Sequence, residues 1–206
     1  MTDYFALLNQ PRRPWLDADA LKQTFLALSA EVHPDRVHSE RNEAKRAASE
    51  RFAQVNAAYN CLRVPKDRVL HLIELEAGRK PEDIQAIPPD MMNVLLEVGR
   101  LCREVDAFLG ERARVTSPLL KVPLFERAQE WIEKLASERE KIEAMNSELL
   151  GDLKLLTAAW EVAPAIGSPE RMASLPLQRL EEIYRSLSYT SRWLSQVHER
   201  VVQLSL

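Results

Sequence analysis

Residues 21–62 read LKQTFLALSAEVHPDRVHSERNEAKRAASERFAQVNAAYNCL, two amphipathic segments separated by a proline. In both segments the apolar side chains recur at steps of three and four residues, which places them on one face of a helix. These apolar positions are Leu21, Phe25, Leu28 and Val32, then Ala48, Phe52, Val55, Tyr59 and Leu62. Pro34 cannot continue a helix, because it has no amide hydrogen and restricts the residue before it. The stretch therefore predicts a helical hairpin with His33-Pro34-Asp35 at its exposed tip.

This hairpin resembles a J-domain, the module that activates the seventy-kilodalton heat-shock ATPases. Two further stretches match that family, DYFALL at residues 3–8 and NAAY at residues 56–59. The resemblance implies that the tip and the second helix bind an ATPase chaperone and that the J-protein does no covalent chemistry. The chaperone-binding residues that it implies are His33, Pro34, Asp35, Lys22 and Arg36.

The tip departs from the family's pattern at two places. Val32 stands where an aromatic residue is usual, and the second helix offers mainly Lys22, offset by Glu31. A purely structural interpretation is that the tip residues only terminate a helix, because Asp and Pro are common in loops.

The segment after the hairpin indicates which kind of J-protein this is. RVPKDRVLHLIEL at residues 63–75 resembles the HscB-type co-chaperones of iron–sulfur cluster assembly. Those proteins join an N-terminal J-domain to a C-terminal three-helix bundle that binds the cluster scaffold protein. The resemblance covers residues 3–76 well and 90–109 weakly. It implies a co-chaperone that stimulates ATP hydrolysis by a heat-shock-type chaperone and delivers the scaffold protein to it.

Local signals divide the chain. Asp17 is a candidate N-cap for the second helix, and later helical patterns end near Val64 and Gly78. Residues 78–89 contain three prolines, which marks a domain boundary. We therefore predict a J-domain at 1–77, a linker at 78–89 and a C-terminal helical bundle for scaffold binding at 90–206. Apolar residues at alternating steps of three and four predict antiparallel helices in this bundle, with a long, coiled-coil-like hairpin. The predicted fold class is all-α.

In the HscB family an apolar patch on the first and last bundle helices binds the scaffold. Aligning that family's motif with residues 91–97 places Met92 and Leu96 one turn apart, beside the core-facing stripe. Tyr189 and Trp193 are spaced i,i+4, lie off the predicted core stripe of the last helix, and would complete the patch. The scaffold-binding residues implied are Met92, Leu96, Glu97 and Tyr189. The alternative is that these residues are core, where apolar side chains at helical spacing usually lie.

Composition excludes several classes of function. The net charge of -3 argues against an electrostatic nucleic-acid binder. Cys61 and Cys102 form no CxxC and cannot supply the four thiolates of an iron–sulfur cluster, so we expect no metal and no cofactor. No nucleophile–base arrangement or phosphate loop is present, so we expect no enzyme activity.

The same reasoning bears on location. No stretch is long and apolar enough to cross a bilayer, and the J-like pattern starts at Asp3, which leaves no space for a signal peptide. We therefore expect a cytoplasmic protein without a membrane partner. Three alternatives stay open: a J-domain adaptor with a different client, a structural helical interaction protein with a degenerate J-domain, and a metal- or cluster-binding protein.

Overall fold

The computed structural model of the chain describes residues 1–33, 42–81 and 87–206, without the side chains of residues 42, 90 and 118–121. Within these ranges the regular structure is helical and no strand occurs, which confirms the all-α prediction. The helices are α1 (Tyr4–Leu7), α2 (Ala18–Glu31), α3 (Asn42–Arg63), α4 (Pro65–Ala77), α5 (Met92–Ala113), α6 (Pro118–Glu161), α7 (Arg171–Ser174) and α8 (Leu177–Ser205), with a short 3-10 helix at Pro89–Met91.

The chain divides into two compact units. Met1–Glu82 and Leu150–Tyr184 form the first, and Asp83–Leu149 and Arg185–Leu206 form the second. Residues 150–184 therefore belong with the N-terminal helices, a grouping that the sequence pattern does not reveal. The functional division into a J-domain, a linker and a scaffold-binding bundle stays a prediction.

Polar caps and a glycine set the ends of helices in the first unit. The Asp3 carboxylate caps α1 by accepting a hydrogen bond from the Phe5 amide at 2.9 Å. The predicted N-cap of α2 is confirmed, because the Asp17 carboxylate accepts the Ala20 amide hydrogen at 2.8 Å. The predicted end of α4 is also confirmed at Gly78, whose φ of 68° lies in the left-handed region that glycine adopts without strain.

The hairpin core in this unit follows the predicted spacing. Leu21, Val55 and Leu62 are buried, and the ring of Phe25 stacks on Tyr59 with the centroids 4.1 Å apart. Arg68 on α4 is also buried, and its guanidinium donates hydrogen bonds to the carbonyl oxygens of Pro14 and Leu62 at 2.8 and 2.7 Å. Burial lowers the pKa of Arg68 to about 10. These bonds tie the segment before α2 and the end of α3 to α4.

A buried ion pair joins two distant parts of the first unit. The Arg171 guanidinium on α7 donates two hydrogen bonds to the Glu76 carboxylate on α4, both 2.8 Å long. A third hydrogen bond, 2.7 Å long, goes to the carbonyl oxygen of Pro164. The exposed fractions of the two side chains are 9% for Arg171 and 3% for Glu76. The segment between α6 and α8 is therefore anchored on α4.

The core of the second unit confirms one predicted stripe and corrects another. Along α5, Met91, Val98 and Val105 are buried, as their spacing predicts. On α8, Trp193 is 2% exposed and belongs to the same core, so the prediction that it lies off the core stripe is wrong. The buried side chains of α8 follow one stripe at steps of three and four residues: Leu180, Ile183, Leu187, Thr190, Trp193 and Val197. The prediction placed this stripe through Leu194 instead of Trp193, and Leu194 is only partly buried.

Candidate functional site

The described part of the predicted hairpin tip ends at an exposed histidine. Helix α2 ends at Glu31, and the Val32 amide still donates a helical hydrogen bond to the Leu28 carbonyl oxygen at 3.1 Å. His33 follows on the surface, with its ring edge-on to the Phe52 ring and the centroids 5.3 Å apart. The contact with Phe52 holds the imidazole in one orientation on the exposed surface. The role of His33 in chaperone binding stays a prediction.

The remaining predicted chaperone-binding residues fall into two groups. Lys22 lies exposed on α2, one turn before Leu26, whose side chain is 54% exposed. Pro34, Asp35 and Arg36 lie outside the described residues. The described part of the predicted chaperone surface is therefore the outer face of α2 together with His33.

The predicted scaffold-binding pair on α5 lies on the surface. Met92 is 40% exposed and Leu96 is 63% exposed, whereas Met91 and Val98 beside them are buried. The core of the second unit is thus complete without these two side chains. They form an apolar surface one helical turn long.

Glu97, beside that surface, is paired within its own helix. Its carboxylate accepts two hydrogen bonds from Arg100, at 2.6 and 3.0 Å. Arg100 also donates to both carboxylate oxygens of Glu104 at 2.9 Å. The Arg100 hydrogen bonds hold the pKa of Glu97 below its ordinary value. Glu97 is therefore an ionised group whose charge is already compensated inside α5.

Tyr189, the fourth residue of the predicted patch, is partly buried. Its ring stacks on the buried Trp193 with the centroids 5.9 Å apart, and it packs against the core of the second unit. Truncating Tyr189 would therefore disturb the packing of the second unit's core as well as the predicted scaffold-binding patch. Its proposed role has to be tested separately from that of Met92 and Leu96.

His71 on α4 has a structural role. It is 5% exposed, its Nε2 accepts the Tyr4 amide hydrogen at 3.1 Å, and its ring stacks on the Tyr4 ring at 4.6 Å. Burial lowers the pKa of His71 below its ordinary value. A neutral imidazole held in this way fixes α1 on α4.

Metal binding and membrane insertion each require a particular arrangement of residues. No group of three or more His, Cys, Asp and Glu side chains in the described ranges is arranged to hold a metal ion. In the same part of the chain, no helix combines the length and the apolar character that a membrane span requires.

Comparison with known proteins places the chain in a family. The DnaJ domain matches residues 3–71. The co-chaperone protein HscB homolog of Bordetella petrii is 31% identical over 159 residues, which are 66% of this chain and 93% of the relative. The co-chaperone protein HscB homolog of Bordetella avium is 30% identical over 159 residues, which are 66% of this chain and 94% of that relative.

Solved structures share the fold. Chaperone HscB from Vibrio cholerae superposes with a TM-score of 0.62 at 21% identity, covering 98% of this chain and 99% of that one. Human co-chaperone HscB superposes with a TM-score of 0.59 at 21% identity, covering 98% of this chain and 81% of that one. The N-terminal J-domain, the helical fold along nearly the whole chain and the identity to full-length relatives lead to one conclusion: this chain belongs to the HscB family of J-domain co-chaperones.

Proposed function

We propose that this chain is a cytoplasmic co-chaperone of iron–sulfur cluster assembly, which stimulates ATP hydrolysis by a heat-shock-type chaperone and delivers the cluster scaffold protein to it. The observation that carries the proposal is the exposed His33 imidazole at the end of α2, within a DnaJ domain. The chain itself makes or breaks no covalent bond. Its effect comes entirely from binding two partners.

The chaperone-binding step is a shift of a conformational equilibrium. A J-domain raises the rate of ATP hydrolysis only if it binds the hydrolysis-competent chaperone conformation more tightly than the other conformations. Lys22 supplies a positive charge, and the orientation of His33 by Phe52 reduces the conformational entropy lost on binding. Both residues lie on the outer surface of the hairpin, where a large partner can reach them.

The scaffold-binding step uses the apolar surface of α5. Exposed methionine and leucine side chains contribute binding free energy when a partner removes them from water, at about 25 cal/mol per Å² of apolar area. A chain that holds both partners raises their effective concentration for each other. Stimulated hydrolysis then occurs while the scaffold is beside its chaperone.

The chaperone part is tested by steady-state ATPase assays of the matching chaperone. We expect wild-type protein to stimulate hydrolysis and His33→Gln to lose the stimulation. His198→Gln is the matched control, because His198 is an exposed histidine on α8. Equal stimulation by wild type and His33→Gln contradicts the proposed J-domain activity.

The scaffold part is tested by pull-down of the cluster scaffold protein. We expect Met92→Ala/Leu96→Ala to weaken capture, with Tyr189→Ala measured alone because of its packing role. Val122→Ala/Phe125→Ala is the matched control, because both of these α6 side chains are 65% exposed. Unchanged capture by the α5 variant rules out this surface, and no capture by wild type favours a different client.

A further inference from the structure

The exposed face of α5 continues beyond Leu96 toward an arginine. Met92, Leu96, Gly99 and Arg103 follow at steps of four, three and four residues, so they share one helical face. Arg103 is exposed, and Gly99 is partly exposed. A Cβ atom at position 99 would lie 3.5 Å from the Arg103 Nη1 atom. The guanidinium therefore folds back over Gly99, toward Leu96.

The charges along this face are compensated unequally. Arg100 binds the carboxylates of both Glu97 and Glu104, with N–O distances from 2.6 to 3.0 Å. Arg103, in contrast, forms no ion pair or hydrogen bond with its side chain anywhere in the part of the chain that the structure describes. The neighbouring acids are therefore engaged, whereas the guanidinium at the end of the apolar surface has its donors available.

We propose that Arg103 determines the specificity of this surface by pairing with a carboxylate of the scaffold protein, while apolar side chains of the same partner cover Met92 and Leu96. The inference rests on the proposed scaffold binding and adds the chemistry of the partner. The segment of the partner that contacts this surface is apolar, with an Asp or Glu at one end. Because Gly99 has no side chain, none stands between Leu96 and the guanidinium that lies over Gly99.

The chemistry of the pair explains selectivity. A guanidinium binds a carboxylate through two parallel hydrogen bonds, a geometry that an ammonium group cannot reproduce. A partner that covers Leu96 on the same face excludes water around the pair, which strengthens the attraction. A partner with a basic residue at this point is rejected, because like charges repel when an interface brings them together.

The test is titration of the full-length chain with the iron–sulfur scaffold protein at low and high salt. We expect Arg103→Glu to raise the Kd about tenfold or more through like-charge repulsion. Arg103→Gln should raise it about threefold and reduce the salt dependence. Arg114→Glu is the matched control, since Arg114 is an exposed arginine at the C-terminal end of the same helix. Circular dichroism verifies that each variant is folded.

The apolar variant separates this inference from the proposed function. Met92→Ala/Leu96→Ala should weaken binding but keep the wild-type salt dependence, because Arg103 remains in place. Wild-type affinity of Arg103→Glu together with weak binding by the apolar variant overturns the role of Arg103 and leaves scaffold binding intact. Wild-type affinity of the apolar variant overturns both.

Discussion

Replacing Arg171 by methionine should destabilise the first unit strongly. The change removes the partner of Glu76, a carboxylate that is 3% exposed, and three hydrogen bonds of 2.7 to 2.8 Å. Removing one member of a buried ion pair costs roughly 3–5 kcal/mol, because the other charge stays buried without a partner. Since the Arg171 side chain retains 9% exposure, we expect a loss in the free energy of unfolding at the lower end of this range, about 3 kcal/mol. In a chain of this size that lowers the Tm by about 6–12 °C.

The assay is denaturant and thermal unfolding of the full chain, followed by circular dichroism and tryptophan fluorescence. Arg46→Met is the matched control, because it breaks a pair whose side chains are 83% and 63% exposed and should cost less than about 0.5 kcal/mol. In the double variant Arg171→Met/Glu76→Met neither charge of this pair remains, so the variant should recover at least half of the stability lost by Arg171→Met alone. Equal unfolding of Arg171→Met and Arg46→Met, or a double variant less stable than Arg171→Met, refutes the reasoning.

Three smaller predictions concern single side chains. Because the pKa of His71 is below its ordinary value of 6.5, the folded chain binds fewer protons than the unfolded chain, and the free energy of unfolding should fall as the pH drops through 6.5. His71→Phe should reduce this fall in unfolding titrations at several pH values; an unchanged pH dependence contradicts the assignment. Gly78→Ala should lower the free energy of unfolding in urea by about 1 kcal/mol, because the φ of Gly78 is 68°. Gly110→Ala inside α5 should leave that free energy unchanged or raise it. Burial raises the pKa of Cys61 to about 11, which lowers its thiolate fraction at neutral pH. Because a thiolate of higher pKa is also more nucleophilic, mass spectrometry should show alkylation to be roughly tenfold slower in the folded than in the unfolded chain; equal rates would show that the thiol is not shielded.

Local signals predicted the elements of the fold well. Asp17 is an N-cap because its carboxylate reaches an amide three residues away, and Gly78 ends α4 because it adopts a left-handed backbone. Both effects act within one turn, so the sequence around them is sufficient. The buried stripe of α5 was predictable for the same reason, since one helix against one core keeps one period.

Long-range packing was not predictable in this way. Arg171 and Glu76 are 95 residues apart, and nothing near either residue indicates that the other is its partner. Trp193 was misplaced because a stripe through Leu194 and a stripe through Trp193 both have helical spacing, and spacing alone does not show which of the two side chains meets the core. Both cases depend on which elements meet in space.

In the candidate site, too, the features that depend on local structure were predictable and those that depend on side-chain contacts were not. The resemblance to J-domain co-chaperones pointed to His33, and the structure places it on the surface at the end of α2. Exposure of Met92 and Leu96 followed from the register of α5, which is a local property. The pairing of Glu97 with Arg100, in contrast, depends on side-chain conformation. Spacing alone left open whether Glu97 faces a partner or its own helix.

The proposed coupling of a chaperone's ATP hydrolysis to scaffold binding can be measured as one rate. That rate is ATP hydrolysis by the matching chaperone with this protein and the scaffold protein both present. We expect the two proteins together to stimulate hydrolysis more than the sum of their separate effects. Met92→Ala/Leu96→Ala should keep the stimulation measured without scaffold but lose the excess, and His33→Gln should lose both. A His33→Gln variant that retains the full combined stimulation would show that the J-domain does not provide the coupling.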